Sequence, residues 1–148
     1  MKKLATILAL ALLISGTASA QAATKVKLSP QFKVSKKDQL LTMTFSNLPK
    51  DHGIYVMQCM APKTPGTSPT SCNPSENGKA WVSNVPADIA QGAQSGKGKV
   101  TMKVDKYFKG GDCLHTTCVI FVTNDHNGSK DRSEDQAIPF KFGGLSLF

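Results

Sequence analysis

Residues 113–125 have the sequence CLHTTCVIFVTND, which joins a short cysteine loop to an apolar run. The run is rich in β-branched residues, which favour strands, and it ends at an Asn-Asp pair, which is a turn signal. The pattern therefore predicts a core strand over residues 119–123, held at its start by Cys113 and Cys118.

The N-terminus has the three parts of a secretory signal peptide. Lysines at residues 2–3 precede an apolar run over residues 4–14, and small residues follow around Ala20 and Ala22. The apolar run is shorter than the roughly 20 residues that a membrane-spanning helix needs. We therefore expect residues 1–22 to be a signal peptide, cleaved after Ala20 or Ala22, and the mature chain to be secreted or held in the cell envelope without a transmembrane segment.

The chain contains four cysteines, and all of them lie in the part that is expected to be exported. An even number of cysteines in an oxidising compartment predicts disulfides, and three pairings exist for four cysteines. Local pairing, Cys59 with Cys72 and Cys113 with Cys118, closes the shortest loops. A loop-closure estimate assigns these two disulfides about 3 and about 2 kcal/mol of stability.

Residues 23–148 have the length of a single domain with a core of ordinary size. The whole chain has a net charge of +8, and removal of the two N-terminal lysines leaves about +6. The basic residues are scattered and lack the interleaved aromatic residues of a single-strand platform, so we expect no nucleic-acid partner. A solvated, monomeric domain is expected, with weak attraction to anionic cell-envelope polymers as the alternative use of the charge.

Period-two alternation predicts most of the strands. The alternation is cleanest over residues 41–46, where it puts three large apolar side chains on one face. Lys25–Ser29 stops at a proline and the last strand, 138–142, contains one, so both are predicted to be edge strands. Ile54–Met60 is apolar on both faces except at Gln58, which is typical of a central strand or a pocket floor.

Three more short strands are predicted, at 80–83, 100–104 and 119–123. The segment 85–98 is expected to be a loop with a helical turn at 87–91, and the polar segment 125–135 to be a hairpin connection. Seven short strands with turn signals between them predict an all-β fold, an antiparallel β-sandwich.

The sequence offers little metal or catalytic chemistry. His115 lies between two cysteines, but exported cysteines this close favour a disulfide over a zinc site. Residues 125–131 alternate oxygen side chains as a calcium loop does, yet Lys130 stands where the EF-hand needs glycine. Glu134 and Asp135 are neighbours, and neighbours in a strand point to opposite faces. We therefore expect no enzyme activity, no metal and no cofactor.

Several motifs together resemble the neocarzinostatin-type apoproteins of actinobacteria. They are Val26–Pro30, the run 41–48 ending in Leu-Pro, 55–59 ending in Gln-Cys, Cys72-Asn73-Pro74, Asp112-Cys113 through Cys118, and Asn124-Asp125. That family consists of secreted, immunoglobulin-like, seven-stranded sandwiches with two short-range disulfides, and its known members sequester an enediyne chromophore. The resemblance spans nearly the whole mature chain and implies the same fold and the local disulfide pairing.

The chain also departs from that family. It is basic where those proteins are typically acidic. The family has a long ribbon before its third cysteine, and the corresponding segment before Cys113 is shortened here to residues 107–112. Val119 and Phe121 stand where the family has a polar and a small cleft residue, so the ring of Phe121 is expected to enter the cleft. Trp81-Val82-Ser83 and residues 125–132 are similar, more loosely, to a broader set of actinobacterial exported proteins of this sandwich type.

The resemblance implies a non-catalytic protein that holds a small apolar or aromatic ligand. The cleft is expected between the two disulfides, with Met57, Cys59 and Phe121 as its floor. The expected ligand-binding residues are Met57, Trp81, Tyr107, Phe108 and Phe121. The alternative interpretation makes these side chains ordinary core or loop anchors that fill the cleft. The protein would then be a cell-envelope interaction module whose loops bind another protein or an anionic polymer.

Overall fold

The computed structural model describes residues 23–144. The predicted signal peptide, 1–22, and the last four residues lie outside the described part of the chain. The strands are β1 (Lys25–Ser29), β2 (Leu40–Ser46), β3 (Ile54–Met60), β4 (Lys79–Ser83), β5 (Gln94–Ser95), β6 (Val100–Lys103), β7 (Tyr107–Phe108), β8 (Gly111–Asp112), β9 (Cys118–Asn124) and β10 (Gln136–Phe140). A 3₁₀ turn at Glu76–Gly78 precedes β4, and the helix α1 spans Pro86–Ala90.

The described chain is all-β, as predicted, with ten strands in three sheets rather than seven strands. One sheet has the order β1-β2-β6, a second has the order β10-β9-β3-β4-β5, and β7 and β8 form a hairpin. Neighbouring strands are antiparallel except β4 and β5, which are parallel. The strands that were not predicted, β5, β7 and β8, have two residues each, which is too short to carry a period-two pattern.

The inward side chains of both large sheets form one buried cluster. It combines Leu41 and Met43 of β2 with Val56 of β3 and Ile120 and Val122 of β9, all fully buried. Burying each such side chain stabilises the fold by about 1.5–3 kcal/mol. The cluster explains the regular alternation of the strands, and it leaves each sheet with an outward face on opposite sides of the core.

The positions of individual strands follow the sequence pattern. β3 lies between β9 and β4, which confirms that it is a central strand. β1 and β10 are edge strands, as their prolines indicated. α1 confirms the helical turn, and the polar segment after Asn124 connects the antiparallel strands β9 and β10.

Both local disulfides are present, Cys59–Cys72 and Cys113–Cys118. They lie on opposite faces of the five-stranded sheet. The register pairs Cys59 with Val119 and Met60 with Cys118, and neighbouring residues of a strand point to opposite faces. Accordingly, Cys118 belongs to the main core, whereas Cys59 belongs to a second, smaller cluster.

Gln58 is fully buried, and its amide joins three segments of the chain. Its Oε1 accepts hydrogen bonds from Nδ2 of Asn73 and from the backbone N–H of Asp105, each over 2.8 Å. Its Nε2 donates to the backbone oxygen of Asp105 over 2.6 Å and lies 3.2 Å from Sγ of Cys113. The Gln-Cys and Cys-Asn-Pro motifs thus have a structural role, because a buried amide needs these partners.

Candidate binding site

The space expected to form a cleft is filled. Phe121 is only 5% exposed and forms the second cluster with Cys59 and Val119. Met57 and Cys72 pack against this cluster, so the Cys59–Cys72 disulfide covers the ring. Because the two disulfides lie on opposite faces of the sheet, they do not border a common cleft, and the expected cleft floor of Met57, Cys59 and Phe121 is a packed cluster instead.

An open concavity of about 570 Å³ lies beside this cluster, on the same outward face of the five-stranded sheet. The register sets Tyr55 opposite Trp81 and Met57 opposite Lys79, so side chains from β3 and β4 stand side by side. The lining residues are Tyr55, Met57, Glu76, Lys79, Ala80, Trp81 and Gln94. The concavity therefore has an apolar and aromatic floor with a polar rim.

A hydrogen bond to Asp125 holds the indole of Trp81 in place. Nε1 of Trp81 donates to Oδ2 of Asp125 over 2.9 Å, and the backbone N–H of Gly53 donates to the same oxygen over 2.9 Å. Oδ1 of Asp125 accepts the backbone N–H of Asn127 over 2.9 Å. Burial alone would raise the pKa of Asp125, but these three N–H donors lower the pKa below its ordinary value. Both carboxylate oxygens of Asp125 therefore accept hydrogen bonds from within the protein.

Gly53 is required by the close approach of these groups. A Cβ at this position would lie 2.7 Å from Nε1 of Trp81, 2.8 Å from the backbone oxygen of Val82 and 2.9 Å from Oδ2 of Asp125. Any side chain would have to displace the indole or the carboxylate. Gly53, which lies just before β3, thus has a packing role at the site.

The rings of Tyr55, Trp81 and His126 lie close together at one edge of the concavity. The Tyr55 hydroxyl forms a hydrogen bond of 2.7 Å with Nδ1 of His126. The His126 ring meets the Trp81 ring edge-on with centroids 5.2 Å apart, and the centroids of Tyr55 and Trp81 are 6.4 Å apart. Burial and the negative charge of Asp125 raise the pKa of Tyr55, so its phenol stays neutral at physiological pH.

Lys79 and Glu76 form the charged part of the rim. Nζ of Lys79 lies 2.8 Å from Oε1 of Glu76, and both side chains are well exposed. Such a solvent-exposed pair contributes little to stability. Its two charges are therefore available to a polar substituent of a ligand.

Of the predicted ligand-binding residues, the structure brings together only Met57 and Trp81 at the concavity. Phe121 lies beneath the surface, next to Met57 in the register. Tyr107, on β7, is 56% exposed, and the centroid of its ring lies 6.5 Å from the centroid of the His115 ring. Phe108 packs against the main core. The hairpin aromatics are therefore separate from the concavity.

Sequence reasoning missed Tyr55 and His126. Tyr55 could have been found, because it alternates with Met57 and so shares the outward face of β3. His126 lies exposed in the segment after β9, and its contact with Tyr55 spans 71 positions along the chain. No local pattern reports a contact of that separation.

The remaining acidic groups are engaged in structural contacts. Glu134 is buried and accepts the backbone N–H of Thr24 over 2.6 Å, which anchors the start of the described chain. Asp135 accepts the hydroxyl of Thr123 over 2.7 Å. Across residues 23–144, no group of three or more His, Cys, Asp or Glu side chains is arranged to hold a metal ion. In the same range, no helix has the length and apolarity to cross a membrane.

No family model, curated protein or solved structure matches this chain.

Proposed function

We propose that this chain is a secreted, non-catalytic binding protein that holds a small aromatic ligand in the concavity between β3, β4 and β5. One observation carries the proposal. Three partly exposed apolar side chains, Tyr55, Met57 and Trp81, stand together on the solvent side of a sheet, where polar residues are the ordinary choice. Apolar side chains gathered in a concavity mark a ligand site.

The dimensions and chemistry of the concavity suit a drug-sized planar molecule. Its volume of about 570 Å³ falls within the usual range for small-molecule sites. Trp81 and Tyr55 present ring surfaces for offset or edge-to-face contact, and the thioether of Met57 adapts to irregular shapes. Lys79 and Glu76 at the rim suit a ligand that carries one polar or charged substituent.

The side chains around the concavity favour binding over catalysis. The carboxylate of Asp125 is occupied by three N–H donors, and the phenol of Tyr55 is bonded to His126. Lys79 and Glu76 are paired at the exposed rim. In the described part of the chain, these contacts leave no activated nucleophile beside a base at the concavity.

We further propose a neocarzinostatin-like, immunoglobulin-like sandwich as the family of the fold. Support comes from the two sheets that share one core, from the edge positions of β1 and β10, and from the two local disulfides. Secretion is supported by the N-terminal residue pattern and by the disulfides, which persist in oxidising compartments.

Trp81 is the only tryptophan of the chain, so its fluorescence reports directly on the concavity. Titration of the mature protein with N-phenyl-1-naphthylamine, a neutral aromatic probe, is expected to quench the emission of Trp81 saturably. Met57→Ala should raise the Kd about tenfold, because it removes apolar contact from the floor. Tyr107→Ala, which removes an exposed ring elsewhere, should leave the Kd unchanged. Equal weakening by both variants, or no quenching at all, would contradict the proposed site.

A further inference from the structure

Lysine and hydroxyl side chains cover the outward face of the three-stranded sheet. The alternation that buries Leu28, Leu41, Met43 and Met102 turns the residues between them to solvent. The outward residues, with Lys99 next to β6, are Lys25, Lys27, Ser29, Leu40, Thr42, Thr44, Ser46, Lys99, Thr101 and Lys103, and Leu40 at one end is the apolar member. We call this surface the lysine face.

A groove of about 330 Å³ crosses the middle of the lysine face. The register sets Lys27 opposite Thr44 and Ser29 opposite Thr42, which brings ammonium and hydroxyl groups together. Lys99 lines the groove as well, so two ammonium groups and three hydroxyl groups converge there. The groove is therefore lined with hydrogen-bond donors.

The positive charge of this face has no neutralising partner in residues 23–144. The strands β1, β2 and β6 contain no aspartate or glutamate. None of Lys25, Lys27, Lys99 and Lys103 forms an ion pair within the described residues. Like charges on one sheet face repel each other, and an anionic partner would remove that repulsion.

We infer that the lysine face binds a linear polymer that carries phosphate groups, such as a polyol phosphate. Lys25 and Lys27 are two residues apart on one strand, so their side chains repeat about every 6.6 Å along an extended direction. An extended polymer with regularly spaced charges can follow such a row.

The donor set suits phosphate groups. The basic residues of this face are all lysines, whose ammonium groups bind phosphate as compact point charges. Ammonium and hydroxyl donors together can surround the several oxygens of a tetrahedral phosphate. The face also lacks aromatic residues on which the bases of a single-stranded nucleic acid could stack.

This site is independent of the aromatic concavity. The two surfaces are the outward faces of the two large sheets, and the main core lies between them. Both can therefore be occupied in one molecule, and either proposal can fail without the other. The sequence-based expectation assigned an anionic polymer to the loops, whereas the structure gathers these lysines on a sheet face.

The test compares two variants of equal net charge in the mature protein. The face variant carries Lys25→Gln, Lys27→Gln, Lys99→Gln and Lys103→Gln. The control variant carries substitutions of four exposed lysines outside this face, Lys63→Gln, Lys109→Gln, Lys130→Gln and Lys141→Gln. Far-UV circular dichroism and the Tm establish that each variant is folded.

Binding is measured by isothermal titration calorimetry with poly(glycerol phosphate), at low and at high salt. The wild type should bind, and its affinity should fall as salt rises. The face variant should bind at least about tenfold more weakly, and the control variant should stay within about threefold of the wild type. Equal loss in both variants would overturn the proposal, because it would show attraction to net charge alone.

Two further measurements address the chemistry of the partner. The double variant Thr42→Val, Thr101→Val keeps every charge and removes two hydroxyl groups whose oxygens are 3.0 Å apart. If these hydroxyl groups contact phosphate, the double variant should bind poly(glycerol phosphate) about threefold more weakly than the wild type. Polyglutamate and an oligodeoxythymidylate of the same charge should bind the wild type more weakly than poly(glycerol phosphate). Equal or tighter binding of either competitor would overturn the assignment to a phosphate-bearing polyol.

Discussion

Trp81 donates its indole N–H to Oδ2 of Asp125 over 2.9 Å, although the two residues are 44 positions apart in the chain. The same oxygen accepts the backbone N–H of Gly53, just before β3. One buried acceptor therefore orients the aromatic wall of the concavity and joins β4 to the loop after β9. Changes at this point should affect both stability and ligand binding.

Asp125→Ala is expected to lower the free energy of unfolding by about 3 kcal/mol, because it leaves buried N–H groups without an acceptor. The indole should become mobile, and the emission of Trp81 should shift to longer wavelength. Urea unfolding followed by tryptophan emission measures both effects. Asp38→Ala, at an exposed turn, serves as the control and should change stability little. An unchanged emission maximum in Asp125→Ala would show that the bond does not hold the indole.

Asp125 should also contribute to acid sensitivity. The folded state lowers the pKa of Asp125, so its stabilisation is present above the ordinary aspartate pKa of about 3.9 and is lost as pH falls through the folded value. Asp125→Asn should therefore show a smaller loss of stability than the wild type between pH 5 and the acid limit. Unfolding midpoints in urea across this pH range provide the measurement, and parallel curves for both proteins would refute the assignment.

Gly53→Ala is expected to destabilise the fold by about 2 kcal/mol, because the added Cβ would lie 2.7 Å from Nε1 of Trp81. The displaced indole should also weaken binding of N-phenyl-1-naphthylamine. Gly98→Ala is the matched control, since a Cβ there meets nothing within 4 Å, and it should alter stability by less than about 0.5 kcal/mol. Thermal unfolding separates the two variants, and similar Tm values for both would contradict the packing argument.

His52 should make the protein less stable as the pH rises. Burial lowers the pKa of His52, but the hydrogen bonds to Oδ1 of Asn124 and Oδ1 of Asp51, with the negative charge of Asp51, raise it overall above 6.5. Both ring nitrogens face oxygen acceptors, which the protonated ring satisfies as a double donor. This stabilisation is fully present below the unfolded pKa of about 6.5 and is lost as the pH rises through the folded pKa.

The unfolding midpoint in urea, measured across neutral pH, checks this effect. His52→Gln should abolish the decline in stability above about pH 6.5. His115→Gln, which alters an exposed histidine on the Cys113–Cys118 loop, should preserve the decline. A His52→Gln curve with the wild-type slope would assign the pH dependence to another group.

Phe121→Ala is expected to lower the free energy of unfolding by about 3 kcal/mol, because it empties a packed cluster beneath the Cys59–Cys72 disulfide. The space should open next to Met57 and extend the concavity, so N-phenyl-1-naphthylamine should bind more tightly to the variant. Phe32→Ala, which removes a ring that is 57% exposed, should affect neither quantity. Unchanged probe binding in Phe121→Ala would separate this cluster from the ligand site.

Much of the fold could be predicted from the sequence, because strand periodicity and turn residues are local. The alternation over residues 41–46 corresponds to β2, and the two short loops between cysteines are closed by disulfides. Prolines marked the edge strands correctly, since proline cannot donate to a ladder. The short strands β5, β7 and β8 escaped prediction because their pairing depends on the strands beside them.

The site was less accessible to local patterns. Met57 and Trp81 were selected as aromatic or apolar residues, and both line the concavity. Phe121 has the same apolar character, yet it is buried in a cluster against which both ends of the Cys59–Cys72 loop, Ala61 and Cys72, are packed. Whether an outward side chain of a strand is covered depends on the path of a distant loop, which a period of two does not record.

The sequence by itself determined which residues form strands and which side chains alternate to the core, because these depend on spacing within a few residues. It also determined the lysine and threonine content of β1, β2 and β6. Only the tertiary structure decided which outward face is aromatic and which is basic, since strand order and register bring together residues far apart in the chain. The contacts of Trp81 with Asp125 and of Tyr55 with His126 exist because β3, β4 and β9 are neighbours in one sheet.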